Sequence, residues 1–351
     1  MLISAYFFFD GAFLRFEPGY DWAPLWAAGR LAWTEPSRIY DFAYVTQETP
    51  LVHPGDLRPF IYPPTALLLF SPLALLPFRL SLAIFVATSA ALLARASSNL
   101  GAKPLLLVFA PPVVLAAITG QPTLLVSALI VYALLLLPRS KSKAGVLLGI
   151  AAALKPPLLI LAPLALTAGR HWRSMLAAGG TLLALGFVSV LNLGFDVWQS
   201  WLGSLPKFQA LITGHEPLLR NTVTPNGTAV RLGIDPLVPS LLGLGVAGTV
   251  VTLAFIRTTD PATRLIALIG GALLVTPYGM NYELAALGPA VATIAIRRVR
   301  DGIIPALWAF SMFVHVSVVG LAAVYCWGAF KLVHVPSVND RLMQSGVDVP
   351  A

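Results

Sequence analysis

Few polar residues in this chain could do chemistry, and its carboxylates are unevenly placed. Seven of the fifteen acidic residues fall between Asp10 and Asp56, and none occurs from Leu57 to Phe195. Asp21 is the most informative of the seven because it opens a Trp-rich segment, Tyr20–Trp33, whose spacing predicts a helix. A carboxylate there could act as a general base near a membrane surface, where a lipid-linked substrate could meet it. The alternative is structural, since Asp is a favoured residue at a helix N-cap.

Lys155 is a second candidate, because it interrupts a long apolar run together with Pro156 and Pro157. A lysine inside a membrane segment costs about 2.5–3.5 kcal/mol and therefore needs a partner. No carboxylate is near it in the sequence, so we expect a phosphate group to be that partner. The alternative is a lysine that snorkels to the interface from the end of a half-helix.

Three further polar positions interrupt apolar runs. Gln121 follows Gly120, and Glu283 ends the segment 276–283 beside a predicted membrane helix. An acidic residue at a membrane helix is a candidate for a functional site, although both segments also have the composition of ordinary turns. Tyr62 precedes two prolines, a pattern that is sufficient to start a helix.

The composition restricts the class of protein that could position these residues. Of the 351 residues, 57% are hydrophobic and only 11% are charged, with a mean hydropathy of +0.81. Soluble proteins carry about 25% charged residues, so a soluble enzyme or a DNA-binding domain is excluded. The net charge of +8 comes from short basic clusters between apolar runs, such as the one at Arg139, Lys141 and Lys143. That is the pattern of cytoplasmic loops rather than of a nucleic-acid surface.

The chain is predicted to be a polytopic membrane protein with one domain over residues 1–335. An extracytoplasmic loop at 15–60 is expected to hold interfacial helices at Tyr20–Trp33 and Phe42–Thr49, and a second such loop is expected at 196–235. A polar tail follows at 336–351, and residues 1–14 are expected to be the end of a helix that starts upstream or a short embedded stub. Apolar runs that are predicted to span or partly span the membrane occur at 61–77, 80–95, 104–118, 122–137, 144–168, 174–195, 236–256, 265–277, 282–296 and 303–327. The run at 144–168 is either one broken helix or two half-helices, and one run is expected to be re-entrant.

The ordered set of short motifs resembles glycosyltransferase family 87, the polyprenyl-phosphate-sugar-dependent, mannosyltransferase-like membrane proteins. The resemblance extends from about Gly19 to Arg298. Its motifs are Asp21-Trp22, Trp26-Ala27-Ala28-Gly29-Arg30-Leu31, Ile39-Tyr40-Asp41, Tyr62-Pro63-Pro64, Ser71-Pro72-Leu73, Leu76-Pro77, Gly120-Gln121, Gly149 to Pro157, Thr276-Pro277-Tyr278 and Tyr282-Glu283-Leu284. Many relatives carry Trp and His in the late motif, where this chain has Met280 and Tyr282-Glu283.

The resemblance implies an all-α membrane protein with a GT-C type fold, about 9–11 membrane helices and an active site at the extracytoplasmic face. It implies transfer of a hexose, with mannose as the first candidate, from a polyprenyl phosphate to an envelope lipid or glycan with inversion. By the same similarity Asp21 becomes the general base and Lys155 a contact for the lipid phosphate. The other residues that it places in substrate binding are Arg30, Tyr62, Gln121, Tyr278, Tyr282 and Glu283.

The partners implied are therefore the lipid-linked sugar donor, an envelope acceptor and membrane lipids, in the inner (plasma) membrane of a bacterium. No metal and no cofactor is expected: phosphate is already a good leaving group, Cys326 is the sole cysteine, and the five histidines are scattered. Two alternatives remain open at this point. One is a carrier or flippase for lipid phosphates without enzymatic activity, and the other is an inactive subunit of an envelope-assembly complex.

Overall fold

The computed structural model describes residues 17–51, 57–214, 216–297, 303–310 and 317–334. Over these residues the chain is helical and has no strand, apart from an isolated bridge between Thr222 and Met280. The all-α prediction is therefore confirmed for the described part of the chain. The predictions for residues 1–14 and for the tail at 336–351 lie outside it.

The helices of the first half are α1 Trp22–Thr34, α2 Phe42–Glu48, α3 Leu67–Ala74, α4 Phe78–Leu100, α5 Leu105–Val108, α6 Pro111–Thr119, α7 Thr123–Leu136, α8 Lys141–Leu154 and α9 Ala162–Ala168. Those of the second half are α10 Trp172–Leu193, α11 Phe195–Gly214, α12 Glu216–Arg220, α13 Pro225–Arg231, α14 Leu237–Arg257, α15 Pro261–Leu265, α16 Gly271–Val275, α17 Gly288–Arg297, α18 Ile303–Phe310 and α19 Ser317–His334. Short 3₁₀ segments lie at Pro36–Arg38, Pro64–Ala66, Pro156–Leu159 and Asn281–Leu287, and a π turn at Ile266–Gly270 joins α15 to α16.

Three of these helices, α4, α10 and α14, are long and apolar enough to cross a membrane. Shorter apolar helical segments lie at Pro64–Ala74, Thr123–Leu136, Pro156–Ala168, Pro261–Val275 and Val318–Leu332. Several predicted runs are thus shorter or interrupted in the structure, and the run 303–327 is divided into α18 and α19, which pack against each other. The number of crossings and the re-entrant segment stay predictions.

The break between α8 and α9 occurs where the sequence places Pro156 and Pro157. α8 ends at Leu154, Lys155 adopts φ −146° and ψ 74°, and the chain restarts in the Pro156–Leu159 turn before α9. Proline lacks a backbone N–H and its ring clashes with the preceding turn, so two successive prolines strongly disfavour continuation of α8. Of the two alternatives for residues 144–168, the structure shows two separate helices, α8 and α9.

The predicted Trp-rich helix is confirmed as α1, displaced by one or two residues at each end. Its first eight residues are all buried, because Trp22 stacks on Phe85 with a centroid distance of 4.3 Å and meets Phe70 edge-on at 5.6 Å. Only the end of the helix near Trp33, which is 60% exposed, is open. α1 is therefore enclosed by protein over two turns, packed mainly against α3, and its expected location at the membrane interface stays a prediction.

Gly29 is the point of closest approach between α1 and α3. A Cβ atom at this position would lie 2.8 Å from the carbonyl oxygen of Phe70 and 2.8 Å from the Cβ of Ala74. We expect Gly29→Ala to destabilise the protein by about 1–3 kcal/mol, because the backbone of α3 must move to admit a methyl group. The melting temperature of the purified protein in detergent measures this effect.

Gly203 provides the matched control, because it lies in α11 with no atom within 4 Å of its added Cβ. Gly203→Ala should leave the melting temperature unchanged or raise it slightly, since alanine favours a helix by up to about 1 kcal/mol over glycine. Equal melting temperatures for the two variants would contradict the close approach of α1 to α3.

Candidate functional site

The turn before α1 is joined to the end of α6 by backbone hydrogen bonds. The N–H of Gly19 donates to the carbonyl of Ile118 at 2.8 Å, and the N–H of Asp21 donates to the carbonyl of Thr119 at 2.9 Å. The last carbonyls of a helix have no partner within the helix itself. These bonds therefore complete the end of α6 and place the carboxyl group of Asp21 beside Thr119.

Gly120 ends α6 in the left-handed conformation, with φ +78°. A Cβ there would lie 2.7 Å from Cδ1 of Leu82 and 2.7 Å from Cβ of Trp22, so glycine is required both for the backbone and for the space. The turn directs Gln121, which is buried, into the protein. Gly120-Gln121 is thus a turn and part of the candidate site at once.

The Asp21 carboxyl group does not cap α1. Asp21 occupies the N-cap position with helical backbone angles, but its side chain accepts no hydrogen bond from the N–H groups of the helix. Its contacts are instead the side chains of Gln121 and Thr119. The capping alternative from the sequence is therefore wrong, and the carboxyl group is directed at the buried polar side chains around Gln121 and Lys155, the polar centre of this protein.

Burial raises the pKa of Asp21 above its usual 3.8. The hydrogen bonds from Gln121 and Thr119 and the positive charges of Lys155 and Arg58 act in the opposite direction, since each favours the carboxylate. A raised pKa lies closer to neutral pH, and a general base is most effective when its pKa is near the operating pH.

Lys155 lies at the centre of a buried polar network. Its Nζ is 2.5 Å from Oε1 of Glu283, 2.7 Å from Oγ1 of Thr123 and 3.4 Å from Oε1 of Gln121. The Thr123 hydroxyl in turn donates to Oε2 of Glu283 at 3.0 Å. An ammonium group has three donors, and all three have an acceptor here.

The structure gives Lys155 a partner that the sequence did not indicate, and it excludes one of the two alternatives, while the phosphate contact stays a prediction. Its partner is a carboxylate, that of Glu283, which lies far away in the chain but adjacent in the fold. It also does not snorkel to the surface, because the residue is only 9% exposed. Glu283 is buried in the network, where it compensates the lysine charge.

Three tyrosines surround this network. The Tyr62 hydroxyl donates to Oε1 of Gln121 at 3.0 Å, and Nζ of Lys155 lies 5.7 Å from the ring centre of Tyr62 and 5.5 Å from that of Tyr282. Tyr278 packs edge-on against Phe208 at 5.1 Å. Burial, with a smaller contribution from Glu283, raises the pKa of Tyr278 to about 12, so its hydroxyl stays protonated at neutral pH.

Since Oε1 of Gln121 accepts from Tyr62 and Lys155, its amide NH₂ is the group that can donate to Asp21. Gln121 thereby connects the carboxyl group of the first loop to the ion pair. The structure brings together seven of the eight residues proposed from the sequence for this site: Asp21, Tyr62, Gln121, Lys155, Tyr278, Tyr282 and Glu283.

Arg30 is the exception. It is nine residues from Asp21 on α1, about 13 Å along the helix axis. Its side chain is exposed and lies over the ring of Trp26, with Cζ 5.0 Å from the ring centre. Arg30 therefore does not belong to the polar centre.

Three residues of the centre were missed from the sequence. Thr119 and Thr123 lie on either side of Gly120-Gln121, and threonine in an apolar helix gives no specific signal. Arg58 is buried near Asp21, with its guanidinium 3.7 Å from the ring centre of Tyr20. A charged residue four positions before Tyr62 of the Tyr62-Pro63-Pro64 motif was the signal that could have indicated Arg58.

An apolar groove of approximately 350 Å³ adjoins the centre. Pro63 and Pro156, which directly follow Tyr62 and Lys155, form part of its wall. The opposite wall comes from α10 and α11, and includes Phe187, Trp198 and Trp201. The groove thus begins beside the polar residues and is lined almost entirely by hydrophobic side chains.

The fold and this centre define a helical membrane protein with a buried carboxyl group, two buried cations and an adjoining apolar groove. A family model described as glycosyltransferase family 87 matches residues 60–277, which is more than half of the chain, and the chain belongs to that family. It is accordingly a membrane glycosyltransferase, with a donor and an acceptor as substrates. Among curated proteins and among solved structures, none matches this chain.

The Lys155–Glu283 pair can be tested by a double-mutant cycle. Removing one partner leaves a buried charge without compensation, so Lys155→Met or Glu283→Gln alone should each destabilise the protein by about 3–5 kcal/mol. The double variant should cost much less than the sum of the two. Unfolding in detergent, followed by helical circular dichroism, measures the three values.

The exposed pair Arg38–Asp41, with side chains 52% and 40% exposed, serves as the control. Arg38→Met should cost less than about 1 kcal/mol, because solvent screens a surface pair. Additive effects of the two substitutions at Lys155 and Glu283 would contradict the buried ion pair.

Proposed function

We propose that this protein transfers a hexose, with mannose as the first candidate, from a polyprenyl-phosphate donor to a hydroxyl group of an envelope lipid or glycan. Transfer takes place at the extracytoplasmic face and inverts the anomeric carbon. The observation that carries the proposal is the Asp21 carboxyl group, which is half-buried, does not cap its helix and contacts Gln121 and Thr119 beside two cations.

In this mechanism Asp21 acts as the general base. It accepts the proton of the acceptor hydroxyl while the hydroxyl oxygen attacks the anomeric carbon of the donor. The new bond joins that oxygen to the sugar, and the bond from the sugar to the phosphate oxygen breaks, with its electron pair leaving on the lipid phosphate. The raised pKa of Asp21 supports this assignment, because a carboxylate with a higher pKa accepts a proton more readily.

Lys155 is the proposed contact of the leaving phosphate. Its longest hydrogen bond, 3.4 Å to Gln121, is the one that a phosphate oxygen can replace at the smallest loss. Replacement would free Oε1 of Gln121 without breaking the pair with Glu283. The second cation, Arg58, adds positive charge near Asp21, where the donor phosphate is attracted.

The adjoining groove supports a lipid-linked donor. A polyprenyl chain is entirely apolar, and the groove begins at Pro63 and Pro156 next to the polar centre. Phe187, on its far wall, is 65% exposed, so the groove is open at the side. A chain lying there would place its phosphate at the end where Lys155 is located. A carrier or an assembly subunit has no comparable need for the carboxyl group of Asp21.

The assignment of Asp21 is tested with membranes that contain matched amounts of wild type or Asp21→Asn. Each receives radiolabelled polyprenyl-phosphate mannose, or another polyprenyl-phosphate hexose, and an envelope lipid extract. We expect Asp21→Asn to lower transfer by about 10²–10⁴-fold, the usual contribution of a general base. Thin-layer chromatography of labelled products measures the transfer.

Asp41→Asn is the matched control, because Asp41 is an N-cap residue in the same loop whose side chain accepts from the N–H of Tyr44 at 3.1 Å. Asparagine can accept the same bond, so transfer should stay at the wild-type level. Equal transfer by wild type and Asp21→Asn would remove Asp21 as the base.

The pH dependence provides a second test. Transfer should fall as the pH decreases through the pKa of Asp21, because the protonated acid cannot accept a proton. Thr119→Val removes a hydroxyl that favours the carboxylate, so the pKa of Asp21 should rise and the acid limb of the profile should move to higher pH. Rates of hexose transfer over a pH series measure the midpoint.

The exposed Thr34 of α1 supplies the control, as Thr34→Val should leave the acid limb in place. An acid limb that does not move in Thr119→Val would show that another group controls this side of the profile.

A further inference from the structure

A second pocket, of approximately 370 Å³, lies at the other end of α1. Trp26, Arg30 and Trp33 form one wall, and the end of α3 with Leu75, Leu76 and Pro77 forms the other. The spacings of four and three residues place the three side chains on one face of α1. The pocket is therefore built from α1 and the α3–α4 turn, well away from the Asp21 centre.

The aromatic rings of this pocket are fixed in position. Nε1 of Trp26 donates to the carbonyl of Leu76 at 3.0 Å, and Nε1 of Trp33 donates to the carbonyl of Ser71 at 2.9 Å. Both indoles thus span from α1 to the opposite wall. Trp33 nevertheless leaves 60% of its surface exposed, so its ring is available to a ligand.

Arg30 supplies a positive charge that the described residues do not compensate. Its guanidinium lies over the ring of Trp26 at 5.0 Å and forms no ion pair with any carboxylate in the described ranges. An arginine stacked on an aromatic ring keeps its N–H groups at the edge, where they bind phosphate in bidentate geometry. The ligand chemistry that this pocket suits is an anionic phosphate group.

The position of the pocket identifies the source of that phosphate. Pro77 directly precedes α4, a helix of 23 residues that is long and apolar enough to cross the membrane. The start of such a helix lies at the depth of lipid headgroups, where tryptophan is also enriched. Leu75, at the rim, is 68% exposed and offers an apolar surface beside the cation. The lining is thus polar on one side and apolar on the other, as a phospholipid is.

We propose that this pocket binds the headgroup of an anionic membrane phospholipid. The phosphate lies on Arg30, the polar part of the headgroup covers the ring of Trp33, and the first methylenes of a chain run along Leu75. Because the pocket lies between α1 and the α3–α4 turn, a bound lipid stabilises the packing of α1, the helix that follows Asp21, against that turn. The site is separate from the polar centre and does not depend on the proposed reaction.

Binding is measured with the purified protein in a neutral detergent, as the shift in melting temperature during titration. The ligands are dihexanoyl phosphatidylglycerol, dihexanoyl phosphatidylcholine and glycerol 3-phosphate. We expect phosphatidylglycerol to stabilise wild type at concentrations at which phosphatidylcholine has little effect. Arg30→Gln should weaken the binding of phosphatidylglycerol about tenfold, the effect of losing a charge-assisted hydrogen bond.

Arg95→Gln is the matched control, because Arg95 is also exposed but lies near the opposite end of α4. It should bind phosphatidylglycerol as the wild type does. Trp33→Ala keeps the charge of Arg30 and removes the exposed ring, and should weaken binding several-fold, which separates the pocket from a general attraction of anions to arginine.

Three outcomes would overturn the proposal. Equal affinity of wild type and Arg30→Gln would remove the phosphate contact, and equal losses in Arg30→Gln and Arg95→Gln would reduce it to surface charge. Glycerol 3-phosphate binding as tightly as phosphatidylglycerol would assign the pocket to a water-soluble phosphate instead of a lipid. None of these results bears on hexose transfer, so the proposed function stands or falls independently.

Discussion

A charge that is removed from water must be compensated inside the protein, and the Lys155–Glu283 pair meets that requirement for the whole polar centre. Transferring an ammonium or a carboxylate into an apolar interior costs several kcal/mol, so neither residue can be buried alone. Their pairing fixes the end of α8 next to the Asn281–Leu287 turn, and Thr123 adds the start of α7 to the same point. Three separate parts of the chain thereby share one location.

Several irregular segments between helices contact each other in the fold. Membrane proteins tolerate irregular backbone only where protein or a cavity satisfies its polar groups. Here the hydroxyl of Thr65, just after the Tyr62 motif, donates to the carbonyl of Ala153 at 2.6 Å, near the end of α8. The end of α6 is completed by the turn before α1, through Gly19 and Asp21. The breaks therefore create a polar interior in an otherwise apolar molecule, and the reactive groups lie within it.

The family match covers only part of this centre. Residues 60–277 include Tyr62, Gln121 and Lys155, whereas Asp21 and Glu283 lie on either side of the matched range. The two carboxyl groups thus come from flanking segments and meet the matched part through Gln121 and Lys155. The membrane glycosyltransferase class follows from the match, and the proposed base depends on the contacts that the fold makes to it.

The sequence by itself determined the properties that are local. Its low charge and long apolar runs indicated a helical membrane protein, proline placed the breaks at Lys155 and before α6, and the order of short motifs indicated the family. Seven of the eight expected site residues do come together. Each of them is a polar residue at a helix break, and sequence reveals such breaks because proline and glycine carry fixed backbone preferences.

The tertiary structure alone decided which groups face each other. Glu283 lies 128 positions after Lys155, and a sequence that shows no carboxylate near a lysine cannot exclude one that returns from a distant segment. The same limit applies to Asp21, since the N-cap position of a helix does not reveal whether the side chain turns back to the helix or towards Gln121. Arg30 lies outside the site for the converse reason. It is close to Asp21 in the sequence, but the rigid helix between them holds the two residues about 13 Å apart. Local preference sets the path of the backbone, but the pairing of buried charges is a property of the packed molecule.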